Sequence, residues 1–109
     1  MYLVRTTEDF DDWLNRLRKK DLLLSHRVVQ RVKRMQMGNL GDVKAVGGKV
    51  SEARIFSSPA VRLCFTMMNG VLIVLLCGGG KSDQQADIAK VHRLADQLFE
   101  EDSNETQGF

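Results

Sequence analysis

The chain has 109 residues, of which 43% are hydrophobic and 28% are charged, a composition in the ordinary range for one globular domain. Its longest apolar run, residues 71–77, is far too short to cross a bilayer, which excludes a transmembrane helix. The sequence starts without the basic and apolar regions of a leader peptide, so we expect a cytoplasmic protein. Cys64 and Cys77 are accordingly expected to be reduced, buried thiols.

The net charge of +2 conceals an uneven distribution along the chain. Residues 1–81 hold 14 Lys or Arg and 7 Asp or Glu, whereas residues 82–109 hold 2 and 7. A basic body of this kind suits a polyanionic ligand such as RNA. On charge alone, solvated helix faces explain the pattern equally well.

The first predicted elements are a short strand at residues 2–5 and a helix that runs to about Arg18. Thr6 or Thr7 is a suitable helix N-cap, and the acidic residues that follow suit the positive end of the helix dipole. The apolar residues of this helix recur at helical spacing and define one buried face: Phe10, Trp13, Leu14 and Leu17.

A second helix is predicted over residues 22–37, ending before Gly38. Because so few residues separate them, the two helices should form an antiparallel hairpin. The buried face of the second helix would contain Leu24, Val28, Val32 and Met35. Its opposite face would contain Arg27, Arg31, Lys33 and Arg34. Three interpretations of this basic face stay open: solvation, contact with a nucleic-acid backbone, or cover by an acidic protein partner.

Four short strands follow, and tight turns join them into an antiparallel meander: residues 43–46, 49–56, 60–67 and 71–77. Asn69 and Gly70 tolerate the positive φ of a type I′ turn, so this pair is a strong hairpin signal. Residues 71–77 are apolar on both faces, which predicts a covered, central strand. The run Gly78–Gly80 is expected to end that strand.

A last amphipathic helix is predicted to start at Ser82, which forms a capping-box pattern with Gln85, and to end near Glu101. The polar residues 102–109 are predicted to be a disordered tail. We therefore predict one α+β domain at residues 1–101. In it, an N-terminal strand and a helical hairpin pack on the antiparallel β-meander, and a C-terminal helix completes the fold.

Two arginines are predicted to face each other on this sheet. A hairpin centred on Ser58 places Arg54 opposite Arg62, on the face away from the core. Like charges in that position repel, which favours an anion between them or compensation by Glu52. Lys81 precedes the capped helix, whose free N–H groups also favour an anion. The pattern indicates a phosphate-recognition cluster; the alternative is a slipped register that sends both arginines to water.

Several motifs, taken in order, resemble one family of bacterial toxins. They are GNLGDVKAVGGKVSEARI, VRLCF and VLLCGGGKSDQQADIAKVHRLA, together with the helix DFDDWLNRL. The resemblance is to the HigB-type "addiction module killer" branch of the RelE/ParE toxin superfamily, and it covers residues 8–98. It implies a helical hairpin on an antiparallel sheet. It also implies the toxin of a type II toxin–antitoxin system, which cleaves mRNA on the ribosome and so inhibits translation.

By motif match, the resemblance implies Arg54, Arg62 and Lys81 as catalytic residues and Lys44 and Lys49 as RNA-binding residues. Glu52 and Gln84 also match the family pattern. The implied enzyme is a metal-independent endoribonuclease without a cofactor, in which the ribose 2′-hydroxyl attacks the adjacent phosphate. The implied partners are a helix-turn-helix antitoxin, mRNA and the ribosome. Operator DNA would be contacted only through the antitoxin, and no membrane is involved.

The chain departs from the family pattern around the arginines. Val61 and Cys64 replace aromatic residues, and Gly80 replaces an aspartate. These changes remove rings that could stack on an RNA base. No general base stands out, and Glu52 and Lys44 are the candidates. Two other functions stay open: a ParE-like inhibitor of DNA gyrase, and a degenerate toxin that acts only as binding partner or co-repressor of its antitoxin.

Overall fold

A computed structural model describes the backbone of residues 1–80 and 84–107 and the side chains of residues 1–80 and 89–100. The predicted α+β fold is confirmed. The elements, in chain order, are β1 (Leu3–Thr6), α1 (Glu8–Lys20), α2 (Leu22–Gln36), β2 (Val43–Gly47), β3 (Val50–Ile55), β4 (Val61–Met68), β5 (Leu72–Gly80) and α3 (Gln84–Gln107). The strands form one sheet in the order β1-β5-β4-β3-β2. Strands β2 to β5 are the predicted antiparallel meander, whereas β1 runs parallel to β5.

The helical hairpin is connected through a single residue, Asp21. The side-chain oxygen of Thr7 accepts the Phe10 N–H at 3.1 Å and caps α1. The same hydroxyl donates to the Leu76 carbonyl at 2.6 Å, which ties the start of α1 to β5. Asp21 then caps α2, because its carboxylate accepts the Leu24 N–H at 3.1 Å. Thr7 therefore caps α1 and ties it to the sheet, and Asp21 caps α2 at the turn of the hairpin.

The sheet is covered on both faces. Helices α1 and α2 cover one face, over a core that includes Phe10, Leu24, Val28, Met35, Leu63, Phe65, Ile73 and Leu75. Helix α3 covers the other face, over Val50, Cys64, Val74, Leu76 and Cys77. Strand β5 contributes to both cores and pairs on both edges, as its continuous apolar sequence predicts. Within the second core, the buried Cys64 and Cys77 are direct cross-strand partners.

The turn between β4 and β5 has the predicted backbone. Asn69 has φ 56° and Gly70 has φ 69°, so both residues take the positive φ that a type I′ turn requires. The Val71 N–H donates to the Met68 carbonyl at 3.2 Å and closes the turn.

The prediction that Gly78–Gly80 end the last strand is wrong. All three residues belong to β5 and pair with β4, where Gly79 is the partner of Arg62. Gly78 lies directly against the Trp13 ring of α1, and a Cβ at this position would overlap that ring. The missing side chain is what lets the indole pack on the strand. Gly78 therefore marks a close approach to a helix rather than the end of a strand.

Helix α3 is longer than predicted. It extends to Gln107, so residues 102–107, which were predicted to belong to a disordered tail, are helical. No proline or glycine interrupts the sequence between Gln84 and Gln107, and the first such residue is Gly108. None of the helices in the described part of the chain combines the length and the apolar character of a membrane-spanning segment.

Candidate functional site

Two arginines face each other on neighbouring strands, and this predicted register is confirmed. Arg54 of β3 is the direct partner of Arg62 in β4. Both line a pocket of about 350 Å³, with Lys44 and Glu52 on the same face of the sheet. The tip of the β3–β4 hairpin supplies the other lining residues: Ile55, Phe56, Ala60 and Val61. Among the described side chains of α3, none lines this pocket, so that part of the helix leaves this end of the sheet accessible.

Each arginine has its own carboxylate partner, which explains how two like charges coexist in this register. Arg62 Nη1 lies 3.5 Å from Glu52 Oε2, and Arg62 Nη2 donates to the Gly80 carbonyl at 2.7 Å. The side chains of this pair are largely buried, with exposures of 13% and 4%. Arg54 Nη2 donates to Asp42 Oδ1 at 3.0 Å, but those side chains are 39% and 36% exposed. Solvent therefore screens the Asp42 pair much more strongly than the Glu52 pair.

The two guanidinium groups keep unused hydrogen-bond donors. The Nε atoms of Arg54 and Arg62 are buried, and neither has an acceptor among the described residues. A buried donor without an acceptor is unfavourable, and an arginine fork matches the oxygens of a phosphate. Gly79, the cross-strand partner of Arg62, has no side chain. The Nε atoms themselves are closed to solvent, so an anion would first meet the Nη atoms of Arg54, whose side chain is 39% exposed.

Arg31 holds the loop that positions Asp42. The prediction that Arg31 lies on an exposed basic face of α2 is wrong, since this residue is only 7% exposed. Its guanidinium donates to three backbone carbonyls: Leu40 at 2.9 Å, Asp42 at 2.8 Å and Arg54 at 2.8 Å. Gly41 has to be glycine here, because its φ is +70° and a Cβ would lie 2.9 Å from the Arg31 guanidinium carbon. Arg31 therefore joins α2, the loop before β2 and the end of β3.

Burial lowers the pKa of Arg31, the charge of Arg34 lowers it further, and Asp42 raises it. Since an arginine stays protonated in proteins, this shift expresses an energetic cost that the three carbonyls offset, and not a titration. A sequence signal for the burial exists. Arg31 has the same helical spacing as the buried residues Leu24, Val28 and Met35.

The two predicted RNA-binding lysines lie in different places. Lys44 is the cross-strand partner of Glu52 and lines the arginine pocket. Lys49 is not among the residues that line it, and its ammonium lies 3.8 Å from the centre of the Phe99 ring of α3. The structure therefore brings Lys44, Arg54 and Arg62 together and places Lys49 against α3.

Three further polar residues remain to be placed: His92, Lys81 and Gln84. His92 of α3 lies beside the glycines of the β2–β3 turn, Gly47 and Gly48. Lys81 lies outside the described residues, as does the side chain of Gln84. Gly80, whose carbonyl accepts from Arg62, immediately precedes Lys81 in the sequence.

A second, larger groove adjoins the arginine pocket along α2. Its volume is about 610 Å³, and it shares Arg54, Ile55 and Phe56 with the pocket. The other lining residues are Leu23, His26, Arg27, Gln30, Arg31, Arg34 and Asp42. The groove along α2 and the arginine pocket are therefore neighbours, and the tip of the β3–β4 hairpin contributes to the wall of both.

A protein of Haemophilus influenzae, named only as an uncharacterized protein, is 42% identical to this chain over 95 residues. The match covers 87% of this chain and 94% of the relative. The chain belongs to the family of that protein. No family model matches the chain.

The fold is also similar to the solution structure of the conserved hypothetical protein HP0894 from Helicobacter pylori. The TM-score is 0.54 at 18% sequence identity, and the match covers 75% of this chain and 97% of that structure. A likeness at this level of identity concerns the fold alone, and it agrees with the predicted α+β architecture.

Proposed function

We propose that this chain is the toxin of a type II toxin–antitoxin system and that it cleaves mRNA on the ribosome. The observation that carries the proposal is the facing pair Arg54 and Arg62, which lines one pocket together with Lys44. Such a pair suits a phosphate whose negative charge increases during a reaction. The α+β fold and the order of the family-like motifs support the same function.

The proposed reaction needs no group beyond the protein and the RNA. The ribose 2′-oxygen attacks the adjacent phosphorus and loses its proton to a base. The bond from phosphorus to the 5′-oxygen then breaks, and that oxygen takes a proton from an acid. The products are a 2′,3′-cyclic phosphate and a new 5′-hydroxyl end. Arg54 and Arg62 would stabilise the charge on the phosphorane, where each well-placed donor is worth about 10²–10³ in rate.

Glu52 is the proposed general base. It lines the pocket, its carboxylate is 3.5 Å from Arg62, and it is the partner of Lys44 across β2 and β3. Lys44 is close enough in register to supply the proton for the leaving oxygen, a role that Lys81 would share. Replacing Glu52 by Gln should abolish cleavage, because the amide cannot take the proton. Since Glu52 also pairs with the largely buried Arg62, the urea midpoint of the variant has to be measured beside its activity. Cleavage by Glu52→Gln at the parent rate would contradict this role.

The proposed partners are a helix-turn-helix antitoxin, mRNA and the ribosome, with operator DNA reached through the antitoxin. A small open pocket next to a basic helix face offers charge but little enclosure for a flexible RNA. Alignment of the mRNA by the ribosome would supply the orientation that such a site lacks.

The experiment is inducible expression followed by mapping of mRNA 5′ ends, for the parent and for Arg54→Gln and Arg62→Gln. We expect growth arrest and new ends inside translated codons for the parent, and loss of both in the two variants. Arg93→Gln is the matched control, since Arg93 is exposed on α3 and lines none of the described pockets. Arg54 is the safer test for folding, because its carboxylate pair is more exposed.

The other outcomes identify the alternative functions. Arrest with a DNA-damage response and intact mRNA would favour gyrase inhibition. Absence of arrest, with a tight antitoxin complex, would favour a toxin that survives only as a binding partner. Arrest by Arg54→Gln and Arg62→Gln as strong as that of the parent would remove the arginines from the mechanism.

A further inference from the structure

Phe56 is an exposed aromatic ring at the edge of the arginine pocket. It directly follows β3, and 76% of its surface is exposed. The guanidinium carbon of Arg54 lies 5.9 Å from the centre of the ring, within cation–π range. The ring also lines the pocket that holds Arg62 and Lys44. An apolar surface of this size therefore borders the charged groups to which a phosphate would bind.

The other aromatic rings in the described side chains are occupied by packing. Phe10 and Phe65 are buried in the core between the sheet and the first two helices, and Trp13 packs on Phe10 and on β5. Tyr2 packs against the same core. The Phe99 ring is covered by the Lys49 ammonium. Among the side chains of residues 1–80 and 89–100, Phe56 is thus the one exposed aromatic ring. The positions where the family carries aromatic residues, Val61 and Cys64, are buried here.

We propose that Phe56 stacks on the base of the nucleotide whose phosphate is held by Arg54 and Arg62. This inference rests on the proposed function and names the residue that recognises the base. Single-stranded RNA is recognised mainly by stacking of unpaired bases on aromatic and arginine side chains. One nucleotide reaches from a phosphate on Arg54 to a base on the Phe56 ring, since these two groups are neighbours. The ring would replace the aromatic residues missing from positions 61 and 64.

A protein-docking role for the ring is the competing explanation. Phe56 and Leu23, which is 73% exposed, line the same groove along α2. A docking surface would use both apolar side chains, because a partner buries them together. A stacking site would use Phe56 alone, because a leucine offers no π-face to a base. Leu23 is therefore a matched control.

The probe is a fluorescein-labelled RNA hexamer with 2′-O-methyl riboses, which cannot be cleaved, titrated with protein and followed by anisotropy. We expect Phe56→Ala to weaken binding about fivefold or more, in line with the usual effect of losing one base–aromatic stack. Phe56→Tyr should bind within about twofold of the parent, because it keeps the ring. Leu23→Ala should bind as the parent does. The slope of affinity against salt should be the same for Phe56→Ala and the parent, because no phosphate contact is lost.

Three results would overturn the inference: equal binding by Phe56→Ala and the parent, equal losses for Phe56→Tyr and Phe56→Ala, or equal losses for Leu23→Ala and Phe56→Ala. The last result would identify an apolar docking surface instead. Absence of hexamer binding by the parent would also overturn it.

The stacking role and the proposed cleavage fail separately. Parent protein that cuts mRNA, with equal hexamer binding by Phe56→Ala and the parent, refutes stacking and keeps the endonuclease. Loss of hexamer binding in Phe56→Ala, with a parent that leaves mRNA intact, keeps stacking and refutes the endonuclease.

Discussion

Replacing Arg31 by lysine should destabilise the fold by about 3 kcal/mol, although the charge is kept. The guanidinium serves the carbonyls of Leu40, Asp42 and Arg54 from a fixed fork, at 2.8 to 2.9 Å. A lysine ammonium is a point donor and cannot reach three acceptors in that arrangement. The Asp42 carbonyl keeps a second donor, the Arg54 N–H at 3.0 Å. The loss then falls on the other two carbonyls, those of Leu40 and Arg54, and each charge-assisted bond is worth about 1.5 kcal/mol or more.

Urea unfolding followed by Trp13 fluorescence measures this loss. With a slope of about 1.5 kcal/mol per molar urea, the midpoint should fall by about 2 M. The melting temperature should fall by about 13 °C, as expected for a domain of this size. Arg27→Lys is the control on the same helix, since Arg27 is exposed and its replacement should matter by less than about 0.5 kcal/mol.

Arg34→Gln tests the sign of the electrostatics at this site. The charge of Arg34 disfavours the buried charge of Arg31, so its removal should raise stability by a few tenths of a kcal/mol. The gain should not vary between about pH 5 and pH 9, because both guanidinium groups stay protonated there.

Equal midpoints for Arg31→Lys and Arg27→Lys would refute the structural role assigned to Arg31.

Three further predictions concern the sheet. Gly78→Ala should lower the free energy of unfolding by about 1–3 kcal/mol and shift the fluorescence emission of Trp13, because the new Cβ displaces the indole. Gly80→Ala is the control and should change neither, because the nearest atom to its Cβ would be 4.0 Å away. A double-mutant cycle on Glu52 and Arg62, measured by urea unfolding, should give a coupling energy of about 1–3 kcal/mol. The same cycle on the more exposed pair Asp42 and Arg54 should give less than about 1 kcal/mol. Equal coupling energies would contradict the difference in burial. Lys49→Gln should lower the free energy of unfolding by about 0.5–1 kcal/mol, because the contact with Phe99 is lost. It should also weaken binding of the uncleavable RNA hexamer less than Lys44→Gln does. The reverse order of the two lysines would place RNA on Lys49.

Local patterns predicted the parts of the fold that depend on neighbours in sequence. Helical spacing identified both helices of the hairpin, and capping chemistry limited the start of α1 to Thr6 or Thr7, of which Thr7 is the cap. The cap of α2 at Asp21 was not predicted. Strand alternation and the turn at Ser58 were enough to place Arg54 opposite Arg62. A hairpin register follows from turn position and alternation alone, which is why the centre of the candidate site was predictable.

Long-range packing limited the rest. Gly78 resembles a strand breaker until the Trp13 ring is placed on it, and that contact joins residues far apart in the chain. Arg31 has a charged side chain and was predicted to lie on the basic face of α2, although its spacing is that of the buried stripe. Only the three carbonyls of a loop and a distant strand make its burial favourable. The pairing of Asp42 with Arg54 was not predicted for the same reason, since the conformation of that loop determines the position of Asp42.

The parallel pairing of β1 with β5 sets the order in which the molecule can be completed during synthesis. Leu3 is made well before its partner on the sheet, Leu72. At about 5–20 residues per second, a ribosome needs about 4–15 s to go from Leu3 to the end of β5 at Gly80. Throughout that interval β1 has no strand to join, and the apolar face of the helical hairpin lacks its central strand. The nascent chain is then most open to chaperones and proteases, and a chain that terminates before β5 is left without a closed core.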